Sequence, residues 1–236
     1  MRCLIADFLI DFKNRYDFTA RQCAKYECDL DAPADIEVIA TDEDIRQERL
    51  LAERDYPDGY LESICLYRNL ALKLPKYGAF LMHGSVVSVK DRGVAFLARS
   101  GTGKTTHTLL WKEHFGEELK IINGDKPIIR FSDDKIPYAY GTPWAGKENF
   151  QINSKTPLTD ICFIERSEKN SIEKISSKEA VKPLMGQILR PSDSEGMLST
   201  LELLDLLVKK CNLWIIRCNM DIEAAKIASE AILNTI

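Results

Sequence analysis

The stretch "HGSVVSVKDRGVAFLARSGTGKTTHTLLW", residues 83–111, reads as an apolar run, a polar turn, a second apolar run, a glycine-rich loop and the start of a helix. The two runs are strands and "KDRG" is the turn of a β-hairpin between them. Residues 98–105, "ARSGTGKT", fit the pattern G-x-x-x-x-G-K-[ST] except that Ala98 stands at the first glycine. Gly101 and Gly103 let the backbone curl so that its N–H groups face a phosphate, and a helix beginning near Lys104 adds its positive end. Ser100, Gly101, Thr102, Gly103, Lys104, Thr105 and Thr106 are therefore the expected nucleotide-binding residues. Lys104 would reach the β- and γ-phosphates and the Thr105 hydroxyl would take one magnesium position.

An ordinary nucleoside-triphosphatase loop follows the first strand of a βαβ unit, whereas this one is entered from a hairpin. Centring the turn on Asp91 and Arg92 sets residue 83 opposite residue 100 and stands His83 beside the loop. His107 and His114, on the following helix, read as structural histidines.

Downstream, "LKIIN" and "KPIIRF" are strands that flank Asp125, twenty residues beyond Thr105 and the best second magnesium anchor. "SDDK" reads as a hairpin turn, which leaves Asp133 and Asp134 without a chemical role. Glu165, at the end of "ICFIE", is a competing acid because it mimics the apolar strand plus carboxylate of ordinary P-loop ATPases. In "GTPWAGKEN", residues 141–149, two glycines and a proline surround Trp144, Lys147 and Glu148. Lys147 is read there as a substrate or γ-phosphate contact, against a plain surface turn plugged by Trp144. Arg190, before Pro191, is read as a solvated arginine, with an anion clamp as the alternative.

The rest of the chain frames this centre. Residues 1–55 alternate short apolar and polar runs and predict a small β-rich N-terminal layer, not independent, with strands rather than long helices. Apolar residues at helical spacing predict a helix between Pro57 and Pro75, within a catalytic domain spanning residues 56–236. Further helices are expected after "SSKE", over about 194–210 and from Asp221, with strands "DICFIER", "SIEKI" and "NLWIIRC" among them. The fold class is α/β, with mixed or antiparallel sheets and flanking helices.

Composition narrows the partners. The 236 residues are 45% hydrophobic and carry 36 acidic against 32 basic side chains, a net charge of -4, which gives no general attraction to nucleic acid or an anionic membrane. Seven cysteines without a C-x-x-C pair fit reduced structural thiols better than a disulfide framework or a zinc site. "MRCLIADFLIDFKNRYDF" has aspartates within its apolar run, and no stretch approaches about 18 apolar residues, so a cytoplasmic location is expected.

"MHGSVVSV", "ARSGTGKTT" and "IINGDKPII" together resemble the catalytic domain of HPr kinase/phosphorylase and the related phosphoenolpyruvate carboxykinase fold, over roughly residues 78–150. "NGDKP" with "GTPWAGKE" is similar to small bacterial carboxykinase-like proteins. The resemblance implies a P-loop kinase using ATP and Mg²⁺, with Lys104 and Asp125 in the catalytic set and Thr105 and Asp125 on the metal. It also implies two consecutive acids where this chain has Gly124 and Asp125, so the first acid is missing; either His83 serves as the base, or the acceptor needs little proton removal in a loose transition state. The expectation is a phosphotransferase that moves the γ-phosphoryl group to a hydroxyl of a small molecule or of a peptide or protein serine. A nucleotide-binding regulatory module without turnover is the alternative, and a carboxykinase a more remote one.

Overall fold

The structure is a computed structural model that describes residues 1–234. The chain opens with a hairpin of β1 (Arg2–Ile5) and β2 (Phe8–Lys13), then α1 (Asp17–Cys23), β3 (Ile36–Ile39), α2 (Asp42–Leu51) and α3 (Asp58–Lys73). β2 lies between β1, antiparallel, and β3, parallel, in a three-stranded sheet. The expected strands are there, and two helices of seven and ten residues, α1 and α2, stand between and after them; α2 is the longer. It starts on a capping box in which the Thr41 hydroxyl accepts from the Asp44 amide and the Asp44 carboxylate accepts from the Thr41 amide. Its buried residues are Ile45 and Glu48, so no apolar stripe announces it. α3 fills the interval between Pro57 and Pro75 and buries Leu61, Leu66 and Leu70 against the N-terminal sheet. One apolar core joins Ile5, Phe12 and Val38 of that sheet to Leu81, Ile128 and Trp144 from later in the chain.

The second sheet has nine strands. β4 (Ala79–Leu81), β5 (Ser85–Val89) and β6 (Arg92–Leu97) precede α4 (Lys104–Phe115), and β7 (Lys120–Asn123), β8 (Ile128–Phe131), β9 (Pro137–Tyr140) and β10 (Lys155–Arg166) follow. β11 (Ser171–Lys174), α5 (Ser177–Met185), α6 (Ser194–Lys210), β12 (Asn212–Cys218) and α7 (Ile222–Leu233) complete the chain. The order is β4-β8-β9-β10-β6-β5-β7, with β12 on the free flank of β10 and β11 beside β12. β10 joins the two halves of this sheet: its first residues pair antiparallel with β9, and its later ones run parallel to β6 and β12. β6 therefore has an antiparallel neighbour, β5, on one side and a parallel one, β10, on the other. This is the mixed α/β architecture read from the sequence.

Alternate residues of β6 feed opposite layers. Val94 and Phe96 pack with Trp111 of α4 and with Ala224 and Ala228 of α7. Ala95 and Leu97 pack with Leu184 of α5 and with Leu204 and Leu207 of α6. A helical layer thus covers each face, which is why β5 and β6 are buried almost throughout.

Gly93 sits where β6 meets the irregular step of β10 between Leu158 and Asp160, and a Cβ there would lie 2.3 Å from the Pro157 carbonyl oxygen. Below that step the buried Asp160 carboxylate accepts from Arg92 Nη2 at 2.9 Å and from Trp214 Nε1 at 2.9 Å, stitching β6, β10 and β12 together. Gly93→Ala is expected to lower the unfolding free energy by about 1–3 kcal/mol, the usual range for overpacking. Urea denaturation reads this, and a variant as stable as the parent would show that the two strands tolerate a wider separation.

Candidate functional site

β5 and β6 pair with Ser85 level with Phe96 and Val89 level with Arg92, which leaves Lys90 and Asp91 as a two-residue turn. Both have positive φ, +50° and +60°, as a tight turn between right-twisted strands requires. The turn is one residue earlier than expected, so the pairing carried outward sets His83 level with Ala98 rather than with residue 100. The shift moves the partner by two positions, and a shift of two preserves the face of the sheet. His83 accordingly stays beside the loop.

Behind β6 the chain curls through Gly101 (φ +75°) and Gly103 (φ +126°), where a Cβ would meet open space. Gly103 is the residue before α4 and supplies no side-chain cap, whereas Thr41, Ser176, Asp193 and Asp221 cap α2, α5, α6 and α7. The first N–H groups of α4 are left for an external acceptor, at the end of the helix that favours an anion.

Lys104 folds back over this loop. It is 9% exposed, and its ammonium lies 3.1 Å from the Ala98 carbonyl oxygen and 3.2 Å from His83 Nε2. Burial lowers its pKa, while the Asp125 carboxylate pulls the other way. The same His83 Nε2 lies 3.2 Å from Asp125 Oδ1. One nitrogen thus serves two partners by turns: protonated, it donates to Asp125, and bare, it accepts from Lys104.

Asp125 is aimed by its neighbours. Asn123, wholly buried at the end of β7, accepts through Oδ1 from the Asp125 amide at 2.9 Å and the Lys126 amide at 2.7 Å. Its Nδ2 donates to the Thr142 carbonyl oxygen at 3.1 Å, tying this turn to the 141–150 loop. The Asp125 backbone oxygen accepts from the Gly84 amide at 2.9 Å, and Lys126 Nζ donates to Asp125 Oδ2 at 2.8 Å. Burial alone would raise the Asp125 pKa, but the His83 hydrogen bond and the Lys126 ammonium outweigh it and hold the carboxyl at about 2.

These groups line a cavity of ≈ 380 Å³. His83, Ser100, Gly101, Gly103, Lys104, Thr105, Thr106, Asp125 and Lys147 all border it. Thr102 borders instead a larger cavity of ≈ 660 Å³ on the other side of the loop, walled by Ile164, Cys218 and Met220 with Arg166. Among the described residues no three His, Cys, Asp or Glu side chains group as a metal cage. Mg²⁺ needs none, because it takes one or two protein oxygens and completes its shell from phosphates and water.

Other candidates lie elsewhere. Strand neighbours point to opposite faces, and here Arg166, not Glu165, turns to the loop: Arg166 donates to the carbonyl oxygens of Thr102, at 3.1 Å, and Gly101. Glu165 pairs with Arg217 at 3.2 Å on the adjacent strand. Asp133 and Asp134 are exposed in the β8–β9 turn, and Arg190 is exposed and outside the cavity of the loop. Buried His107 accepts from Trp111 Nε1 at 3.1 Å, and burial pushes its pKa down to about 4. All seven cysteines are free, and six are buried. Trp144 is a packing residue, edge-on to Phe12 with its centroid at 6.0 Å.

The resemblance calls for an acid at position 124, where the structure packs a glycine closely. A Cβ on Gly124 would lie 3.0 Å from the Ala145 carbonyl oxygen and 3.4 Å from Phe150 Cβ, and the Gly124 amide donates to the Phe150 carbonyl oxygen at 2.8 Å. The second carboxylate at this cavity is Glu148, whose Oε2 lies 3.8 Å from a Cβ built on Gly146. Glu148, Lys126, Asn123 and Arg166 are the site residues that sequence reasoning passed over. "NGDK" carried a usable signal for two of them, since an Asn two residues before an Asp is an Asx-turn pattern.

No protein-family model matches the chain, and no curated protein matches it significantly. Among solved structures, it is similar to the HPr(Ser) kinase/phosphatase from Coxiella burnetii, with 8% sequence identity and a TM-score of 0.38, over 65% of this chain and 96% of that one. A superposition that loose carries no argument about activity; the geometry above has to.

Because the folded pKa of Asp125 is depressed from 3.8 to about 2, its ionised form stabilises the fold at pH values above 3.8, and this stabilisation is lost as pH falls toward 2. Asp125→Asn is expected to cost about 2 kcal/mol near neutral pH, at about 1.4 kcal/mol per pKa unit. Chemical denaturation at a series of pH values should show the gap to the parent closing between about pH 4 and pH 2. A gap that does not change with pH would mean the carboxylate is not held by His83 and Lys126.

Proposed function

We propose that this chain binds Mg-ATP at the loop of residues 100–106 and transfers the γ-phosphoryl group to a hydroxyl. The observation that carries the reading is the convergence of an uncapped helix start, a buried lysine, an ionised aspartate and a histidine on one cavity. In this reading the β-phosphate takes the free N–H groups of α4, and the nucleoside enters the apolar cavity beyond the loop, beside Ile164 and Met220. Lys104 leaves His83 for the phosphates. Thr105 and Asp125 would hold Mg²⁺, which supplies neutralisation of charge on the β,γ-oxygens.

His83 is then the proposed base. With Lys104 on phosphate and Asp125 holding Mg²⁺, Nε2 would be free of both partners, and its unprotonated form can accept the acceptor's proton as the acceptor oxygen bonds to the γ-phosphorus and the bond to the ADP oxygen breaks. Lys147, on the rim of the same cavity, is assigned to the transferred group.

The second reading, a nucleotide-binding regulatory module without turnover, is favoured by one observation, the glycine at position 124, packed close to the 145–150 segment, where a paired acid would stand. Three variants separate the readings. Lys104→Ala is expected to abolish the rise in melting temperature with Mg-ATP, and Glu165→Gln to keep it. His83→Gln should keep it too while transfer of label from γ-labelled ATP falls at least about tenfold, the low side of what a general base contributes. Parental transfer in His83→Gln would remove the base from His83, and binding without transfer or hydrolysis in the parent, with and without cell extract, would favour the regulatory module.

A further inference from the structure

A third cavity, of ≈ 370 Å³, adjoins the phosphate cavity and shares Asp125, Gly146 and Lys147 with it. The proposed function leaves it without an occupant. Its walls bring together residues distant in sequence: Tyr60, Ile64 and Tyr67 from α3, Gln22 from α1, and Trp144 from the 141–150 loop. We infer that this cavity is the acceptor pocket and that it takes an uncharged polyhydroxylated ring of monosaccharide size; the inference rests on the phosphotransfer reading for what happens to that ring.

Position comes first. A ligand in this cavity has Asp125 and Lys147 on the wall facing the phosphate loop, so one of its hydroxyls can meet the γ-phosphoryl group where the two cavities join. Size comes next. The volume lies within the roughly 300–1,000 Å³ typical of small-molecule pockets. A folded protein acceptor would instead need roughly 800 Å² of complementary surface on each partner.

The chemistry of the walls selects the class. The half-buried Tyr60 and Tyr67, backed by Trp144, offer apolar surface for the C–H face of a ring, and a polar relay stands at its edge. Trp144 Nε1 donates to Ser63 Oγ at 3.1 Å, Ser63 Oγ donates to Gln22 Oε1, and Gln22 Nε2 donates to the Pro143 carbonyl oxygen at 3.2 Å. Those bonds fix the amide and leave it a further N–H and a further lone pair, the two complements a sugar hydroxyl needs. Charge excludes the other classes. Asp125 is the one carboxylate in this lining, and the phosphotransfer reading gives it to Mg²⁺, so no group remains for a cationic ligand. Lys126 is committed to Asp125 at 2.8 Å and Lys147 faces the phosphate cavity as well, so an anionic substituent has no cation reserved for it.

Direct binding tests this without relying on turnover. Saturation-transfer NMR is run on the parent with glucose, ribose and myo-inositol, and with a serine-containing hexapeptide. At least one neutral polyol is expected to bind. Ile64 is half-buried on the cavity wall and takes no part in the phosphate site, so Ile64→Trp fills the pocket and should weaken that binding at least tenfold while the Mg-ATP melting shift stays at the parental value. Gln22→Leu, which removes the relay's amide without adding bulk, should weaken it in the same direction. Absence of polyol binding, binding unaltered in both variants, or binding of the peptide alone overturns the pocket. Polyol binding in a parent that ignores Mg-ATP would support the pocket and overturn the phosphotransfer reading.

Discussion

The site depends on the two-residue turn at Lys90 and Asp91. That turn locks β5 against β6, and the register it sets brings the residues before β5 level with the residues after β6. Because His83 and Gly84 arrive there, His83 reaches Lys104 and the Gly84 amide reaches the Asp125 backbone. A register moved by one residue would turn the His83 ring to the opposite face of the sheet and leave Lys104 and Asp125 without their common partner. The helices packed on both faces of β6 hold that register, since slipping would exchange Val94 and Phe96 with Ala95 and Leu97 between two differently filled layers.

At the centre a single imidazole nitrogen stands between a buried ammonium and a half-buried carboxylate. This arrangement is stable without a ligand, because Lys104 has the Ala98 carbonyl and Asp125 has Lys126 as second partners. It is also poised for change: an anion on α4 offers Lys104 a stronger partner than a neutral ring nitrogen. In the proposed reading, departure of the lysine removes one partner of His83 Nε2, so phosphate binding and the availability of a base would be coupled through one atom.

How much of this was legible in the sequence follows from the range of each interaction. The hairpin, the loop and α4 are local, and their apolar runs, turn residues and glycine spacing state them outright. Asp125 was legible as an acid at the end of an apolar strand. α2 was not, because a helix that buries only Ile45 and Glu48 has no stripe to betray it. The tight packing at position 124 depends on Ala145 and Phe150, in a loop whose path no local pattern gives. Arg166 was hidden by strand alternation at the end of β10, where either neighbour was a plausible inward residue until the pairing with β12 assigned Glu165 to Arg217. The pocket beside Asp125 was the least legible, since Gln22 meets the Pro143 carbonyl across 121 positions of sequence.

The central claim is that the start of α4 and the Asp125 turn together form one polyphosphate site. Backbone amide chemical shifts followed by NMR during an ATP titration test it directly. The account predicts that the largest changes fall on the amides of Gly101, Gly103, Lys104 and Thr105, with Gly124 and Asp125 moving at the same ATP concentration. Saturable binding that leaves those amides unmoved and shifts others would contradict it.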